Sequence, residues 1–540
     1  MLGFVTKFAI KPHLLNVIRR NLRTGLTGTE ECSAPVSHGL VLGVYADENN
    51  HDDDGLLTPA AVRYNEGYTN GQLLHLLRIG GAMPKRGECR VFYALDKTYS
   101  AVAVCGLGSE CLGYNQYEVV DEGKEAIRMA AAAGVRKLQE IETSKIYVEG
   151  FGHAESAAEG AAMGVWINQE FKEQKSQLPI PQIEMWAERG VDIDWDGWKI
   201  GLQKAHAQNL ARQLQETPAN MMTPTLFAQN IVEVLCMSGV NVEVKVRSWA
   251  ESQKMNAYLA VAKGSCEPPI FLELSYFGTH HSERPIVLIG QGNTFDSGGL
   301  CKKTNAELRD MRGDMTGAAS VVAACKACAA LKLPVNIRAL IPLCEHIIGC
   351  NAMKPGDIVT AMNGKTIEVE SADNEATLIL ADALCYAETF GPKFIVDIGT
   401  MSHSVLDAVG PTATGIFTNS EELWQQVKTA SIHTGDRVWR LPLWKYYTDQ
   451  VTSSEKVDVQ NVGCPGGGEP SKFAAFLREF VPCGKWMHMD AHNVMTTDGQ
   501  DFPYLRLGMA GRPTRTLIEF IAQTVCREKV ASNGRNAAQC

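Results

Sequence analysis

Three short segments of the chain gather acidic side chains among small residues: 290–299 (Gly-Gln-Gly-Asn-Thr-Phe-Asp-Ser-Gly-Gly), 310–315 (Asp-Met-Arg-Gly-Asp-Met) and 371–375 (Ser-Ala-Asp-Asn-Glu). Asp296 follows an apolar run and is trailed by Gly298 and Gly299, so the backbone can turn sharply and present the carboxylate to a pocket. Asp373 and Glu375, two apart in a segment that reads as extended, point the same way. Carboxylates that converge without basic neighbours repel one another, and a divalent cation is the usual remedy. Taken singly, each is an ordinary loop acid.

The elements that would carry these loops are strands. Segments 286–290, 337–343, 357–362 and 394–398 are apolar runs separated by helical stretches, a pattern suited to a mostly parallel sheet covered by helices on both faces. Such sheets place chemistry in loops beyond the strand ends. Upstream, β-rich runs at 41–45, 90–93, 101–107 and 145–148 alternate with helical stretches at 123–133 and 154–173, which implies a βαβ-type sheet. The expected architecture is α/β throughout: an N-terminal α/β domain over 38–195, a connecting helix over 196–215, a larger α/β domain over 216–526, and a mobile polar tail over 527–540.

Composition bounds the partners. With 540 residues, 45% of them hydrophobic, the chain can bury more than one core. A net charge of −10 and the lack of a basic stripe beyond the N-terminal segment argue against nucleic acid and anionic membrane, and no apolar run of about eighteen residues is present. Sixteen cysteines without a regular framework point to reduced thiols; Cys325 and Cys328 form a CxxC inside an Ala-rich run that reads as a buried helix. His51 and Asp52 to Asp54 read as a solvated turn. Residues 1–29 carry Lys7, Lys11, Arg19, Arg20 and Arg23 among apolar positions with no acid, which predicts a mitochondrial transit segment; without import, the location is cytoplasmic.

Residues 205–525 resemble the leucine aminopeptidase (cytosol aminopeptidase) family. The resemblance runs through the three acidic loops and through 209–212 (Asn-Leu-Ala-Arg), 216–220 (Glu-Thr-Pro-Ala-Asn), 261–265 (Val-Ala-Lys-Gly-Ser), 351–369 and 435–439 (Gly-Asp-Arg-Val-Trp). Residues 40–195 are similar to the family's N-terminal domain with less specific motifs. The resemblance implies a homohexamer, or a hetero-assembly with paralogues. It also implies two divalent metals (zinc, manganese or magnesium) that polarise a peptide carbonyl and generate hydroxide from a bridging water. By position, Asp296 and Glu375 match the bridging carboxylates, Asp314 and Asp373 serve one metal each, and Lys303 matches the lysine that polarises the carbonyl.

The departures fall in the same segments. Gln291 stands where the family has a metal-ligating lysine, and its amide oxygen is a weaker ligand. Thr377 stands in place of the arginine that holds a bicarbonate, and cannot replace that charge. The segment lining the substrate cleft includes Met401, Ser402 and His403; His403 replaces a glycine, and its bulk is expected to obstruct the cleft. Residues 466–472 (Gly-Gly-Gly-Glu-Pro-Ser-Lys) replace a small-residue stretch beside the site. These losses resemble the insect sperm leucyl aminopeptidase subfamily, abundant mitochondrial proteins in which active-site residues are often lost. They imply a pseudoenzyme with a structural role. The retained acids and Lys303 support the alternative, an active metalloaminopeptidase releasing N-terminal apolar residues from peptides; a new metal set including His403 and Gln291 is a further alternative.

Overall fold

The computed structural model describes residues 37–46, 55–187, 193–401 and 403–537, with side chains described to residue 525. The transit-like segment, the His51 to Asp54 turn and Ser402 lie outside the described residues.

The first sheet is built from β1 (His38–Tyr45), β2 (Cys89–Tyr93), β3 (Ala101–Gly106), β4 (Lys145–Val148) and β5 (Gln182–Met185), in the order β2-β3-β1-β4-β5, with the short strand Leu56–Leu57 against β1. β1 runs parallel to β3 and β4, and β4 parallel to β5; only β2 and the short strand are antiparallel. Helices α1 (Glu122–Glu140) and α2 (Ala154–Val165) supply the crossovers. Asp121 caps α1 by accepting from Lys124 N. The sequence extends α2 to residue 173, but the chain turns extended at Trp166, whose ring stacks under the Arg212 guanidinium.

Helix α3 (Trp195–Glu216) is no loose connection. It packs on both α2 and α4 (Thr316–Ala330), and Lys204, buried along it, pairs with Glu155 and Glu519. Around it lies a buried ion network: Glu159 Oε2 accepts from Arg128 Nε at 2.6 Å and from Arg515 Nη1 at 2.8 Å, tying α1 and α2 to α5 (Thr514–Ala537). Residues 527–537 of the polar C-terminal segment continue α5 as helix to Ala537.

The larger sheet has nine strands: β6 (Asn241–Val246), β7 (Ile270–Phe277), β8 (Ile286–Gly290), β9 (Gly292–Asp296), β10 (Asn336–His346), β11 (Phe394–Gly399), β12 (Thr414–Thr418), β13 (Val438–Arg440) and β14 (Lys485–Asp490). Their order is β13-β12-β14-β11-β8-β10-β7-β6, with β9 continuing the line of β8 along β10. The centre, β14-β11-β8-β10, is parallel; β6, β7 and β12 join antiparallel, so the sheet is mixed at its margins. Segment 357–362, read above as a buried strand of this sheet, instead forms Asp357–Thr360 in a separate three-stranded sheet, with alternate residues exposed. Burial alternates with period 2 while residue type does not, the apolar Ile358 lying on the exposed side.

Helix α4 covers one face of the parallel centre and is buried nearly all round, which its small Ala, Gly and Ser residues permit. Cys325 and Cys328 are free thiols inside it, as the sequence predicts, and burial pushes the Cys325 thiol up to about 12. Among the described residues no helix is long and apolar enough to cross a membrane.

Candidate metal centre

The parallel strands end together, and the acidic loops leave from those ends. β9 delivers Asp296, the single-turn helix Met311–Gly313 delivers Asp314 just before α4, and β10 ends on His346. Asp373 sits in the single-turn helix Ala372–Asn374, and Glu375 opens the helix Glu375–Ala387. The sequence reads 371–375 as extended; the Ser371 hydroxyl accepts from Asp373 N at 3.2 Å and starts a helical turn instead. Gly298 and Gly299 adopt φ of +77° and +59°. A Cβ on Gly298 would lie 2.7 Å from Asp373 Oδ1, and one on Gly299 would lie 2.6 Å from His346 Nε2, so both glycines are required for the acids and His346 to close on each other.

All four predicted carboxylates and Lys303 come together. Lys303 Nζ lies 2.8 Å from Asp296 Oδ2 and bonds Asp373 Oδ1. Burial opposes its charge, but Asp296, Glu375 and Asp373 outweigh burial and hold the ammonium protonated well above the ordinary lysine range. His346, which sequence reasoning missed, places Nδ1 2.6 Å from Asp296 Oδ1 and 3.9 Å from Glu375 Oε2. Burial likewise disfavours ionisation of Asp296, yet the His346 hydrogen bond and the Lys303 charge keep it below the usual carboxylate range, while the same pairing raises His346. Asp314 and Glu375 are pushed well above theirs, first by burial and then by the charge of Asp296.

Two amides fill the Asp314 side. Gln291 Nε2 and Asn293 Nδ2 each donate to Asp314 Oδ2 at 2.9 Å, and Asn293 also donates to Glu375 Oε1 at 3.2 Å. Gln291 Oε1, expected to offer a lone pair to a metal, instead accepts from Thr400 N at 2.7 Å. Turning the amide over would set two donors against each other and orphan a buried N–H, so the network fixes its orientation. The Thr400 hydroxyl donates to Asp314 Oδ1. Thr377 is buried and donates to Asn374 O at 2.6 Å, a helix-turn bond that leaves no cation for an anion.

At the mouth, His403 is half exposed and the buried Met401 donates its N–H to Asp490 Oδ1 at 3.2 Å. His403 Nδ1 lies 3.1 Å from His492 Nε2, and its Nε2 lies 3.4 Å from Glu307 Oε1. His492 was also missed; burial, then His403 and Lys303, lower its proton affinity to about 3, so it stands neutral beside the lysine. Ser404 bonds Glu469 Oε2 at 2.7 Å, joining the 466–472 loop to this rim.

A parallel α/β sheet that brings four acids and a lysine to the carboxyl ends of its strands has the framework of a metallopeptidase. Residues 209–518 match the cytosol aminopeptidase family, catalytic domain, and residues 41–175 match the cytosol aminopeptidase family, N-terminal domain. The chain is 46% identical to the cytosol aminopeptidase of Bos taurus over 492 residues, 91% of this chain and 93% of that protein. It is 45% identical to the cytosol aminopeptidase of Homo sapiens over 509 residues, 94% of this chain and 96% of that protein. A solved structure of the bottromycin maturation enzyme BotP in complex with Mn superposes with a TM-score of 0.76 at 28% identity, covering 91% of this chain and all of that one. The chain belongs to the cytosol aminopeptidase family.

The family's dinuclear metal centre is not matched by the donors present here. Gln291 turns its amide N–H to Asp314 and gives its oxygen to Thr400, and no lysine or arginine takes the positions of Gln291 and Thr377. No catalytic step through a metal pair follows from these residues.

Proposed function

We propose that the chain is a catalytically impaired member of the family that serves as a structural component, assembled as a homohexamer or with paralogues inside mitochondria, in the manner of the sperm proteins it resembles. The observation that carries the reading is the locked Gln291 amide, which occupies the Asp314 carboxylate with a donor where a metal ligand is needed. Thr377 adds a second loss, since its hydroxyl is committed to Asn374 O. His403 and His492 add a third by occupying the rim beside Lys303. The basic, acid-free segment 1–29 supports import.

The scaffold is retained while the chemistry is dismantled. The core strands, the α4 cover and the Glu159 ion network all persist beside the altered site. Native mass measurement of the purified chain, with hydrolysis of a leucine anilide in added Mn²⁺ or Zn²⁺, tests the reading. Six-copy particles with turnover at least about a hundredfold below an ordinary family member are expected; turnover at the ordinary level would establish the active aminopeptidase in its place. Fractionation and N-terminal sequencing of the native protein test the location, with mitochondrial enrichment and removal of basic N-terminal residues expected.

A further inference from the structure

Side-chain donors other than His346 reach all but one corner of the buried acids. Lys303 takes Asp296 Oδ2 and Asp373 Oδ1. The amides of Gln291 and Asn293 take Asp314 Oδ2, Asn293 takes Glu375 Oε1, and the Thr400 hydroxyl takes Asp314 Oδ1. Asp296 Oδ1, which also accepts from the Gly298 backbone N–H at 2.8 Å, and Glu375 Oε2 both face the same nitrogen, His346 Nδ1.

We infer that this corner binds a single divalent transition-metal ion on Asp296, His346 and Glu375, in a site that replaces the family's metal pair. The three residues are buried, and they offer one ligand atom each within 4.8 Å of one another. An ion about 2.0–2.2 Å from a nitrogen and two oxygens fits among donors at such separations after small adjustments. The site is distinct from an ordinary cluster of acids because of the imidazole. His346 is 1% exposed, and its Nε2 has no hydrogen-bond partner among the described residues, so the ring is aimed at the acids without being held by a second bond. Asn293 Oδ1, also buried, lacks a partner among the described residues, leaving a carbonyl oxygen available beside Glu375.

The donor set indicates the kind of ion. One imidazole with two carboxylates favours Zn²⁺, Co²⁺ or Mn²⁺ over Mg²⁺, which prefers oxygen ligands and retained water. The Lys303 ammonium and the two amides supply on the far side the neutralisation that a second ion would bring, so the stoichiometry is one. The inference does not depend on loss of activity: a one-ion protein that turned over peptides would remove the proposed function and leave this site standing.

The test uses the full chain, stripped of metal by chelator and titrated with Mn²⁺ and Zn²⁺ by calorimetry, with metal content measured after desalting. One ion per chain is expected, and His346→Gln is expected to weaken its binding at least about tenfold while circular dichroism stays unchanged. Because a buried variant can misfold, the wild-type protein loaded with Mn²⁺ gives an independent readout by electron paramagnetic resonance. A mononuclear Mn²⁺ signal with nitrogen modulation from a bound imidazole supports the site. Two ions per chain, an exchange-coupled pair signal, absence of nitrogen modulation or no ion at all would each overturn it.

Discussion

Gln291 and Asp314 are joined by a buried hydrogen bond of 2.9 Å in which the amide donates and the carboxylate accepts. This one contact reverses the polarity the site needs for a metal at that position. A lysine amine or amide oxygen would bring a lone pair to an ion lying between the two residues. The amide N–H instead neutralises part of the Asp314 acceptor capacity, and the Thr400 backbone holds the amide in that sense.

Reverting the two lost groups together should restore chemistry. In Gln291→Lys with Thr377→Arg, hydrolysis of a leucine anilide in added Mn²⁺ is expected to rise at least about a hundredfold over the parent, since each group supplies an electrostatic contribution of that order. Either single change is expected to give much less. No gain in the double variant would shift the defect to the His403 and His492 rim.

The ion network between the helices of the two sheets carries stability. Glu159 is held near a pKa of about 2, burial opposing its charge and Arg128 and Arg515 outweighing it. Glu159→Gln leaves two buried guanidinium groups without their shared counter-charge and is expected to cost roughly 3–5 kcal/mol, read as a lower urea midpoint. Both arginines keep other partners, Glu125 and Gln208, so the low end of that range is expected.

Glu149 should make stability fall with pH. Burial pushes its carboxyl up to about 8, only partly offset by the Thr58 hydroxyl at 2.9 Å. A folded value above the unfolded one means the folded state holds the proton more tightly. The contribution is therefore full below the unfolded carboxylate range and is lost as pH rises toward 8. Glu149→Gln is expected to match the parent near pH 4.5 relative to its own baseline and to flatten the decline in melting temperature between pH 5 and 8. A parallel decline in both proteins would contradict the assignment.

The CxxC in α4 should be chemically silent. Cys325 and Cys328 are buried, and burial raises both thiols well above their ordinary range. Native protein treated with iodoacetamide at pH 8 is expected to show alkylation at exposed thiols such as Cys111 and Cys236, and none at these two, by peptide mass spectrometry.

Much of this was legible in the chain because the signals are local. Unbroken apolar runs located β8, β10 and β11, and the glycines after Asp296 marked a turn that only a left-handed backbone can make. Segment 357–362 was assigned to the wrong sheet because a short apolar run does not reveal whether one face or two will be covered. The turn at 371–375 was lost because a serine cap competes with extension only through a single side-chain bond.

His346 and His492 escaped for a different reason: each is a lone histidine whose partners are 50 and 89 residues away. One signal was available. The Cys344-Glu345-His346 triplet ends an apolar strand that runs parallel to the one before Asp296, so its polar end must fall at the same sheet edge. The amide pair Gln291 and Asn293 was half legible, in that the loss of a metal ligand was visible but the direction of its hydrogen bond was not. That direction is set by Thr400, over a hundred residues away in sequence.

The most direct test of the account is the initial rate of leucine anilide hydrolysis by the purified full-length protein saturated with Mn²⁺ or Zn²⁺, compared with the Gln291→Lys, Thr377→Arg variant under the same conditions. A parent at the buffer background and a variant clearly above it is the expected result. A parent that turns over substrate at the rate of an ordinary cytosol aminopeptidase would contradict the claim that the locked Gln291 amide disables the centre.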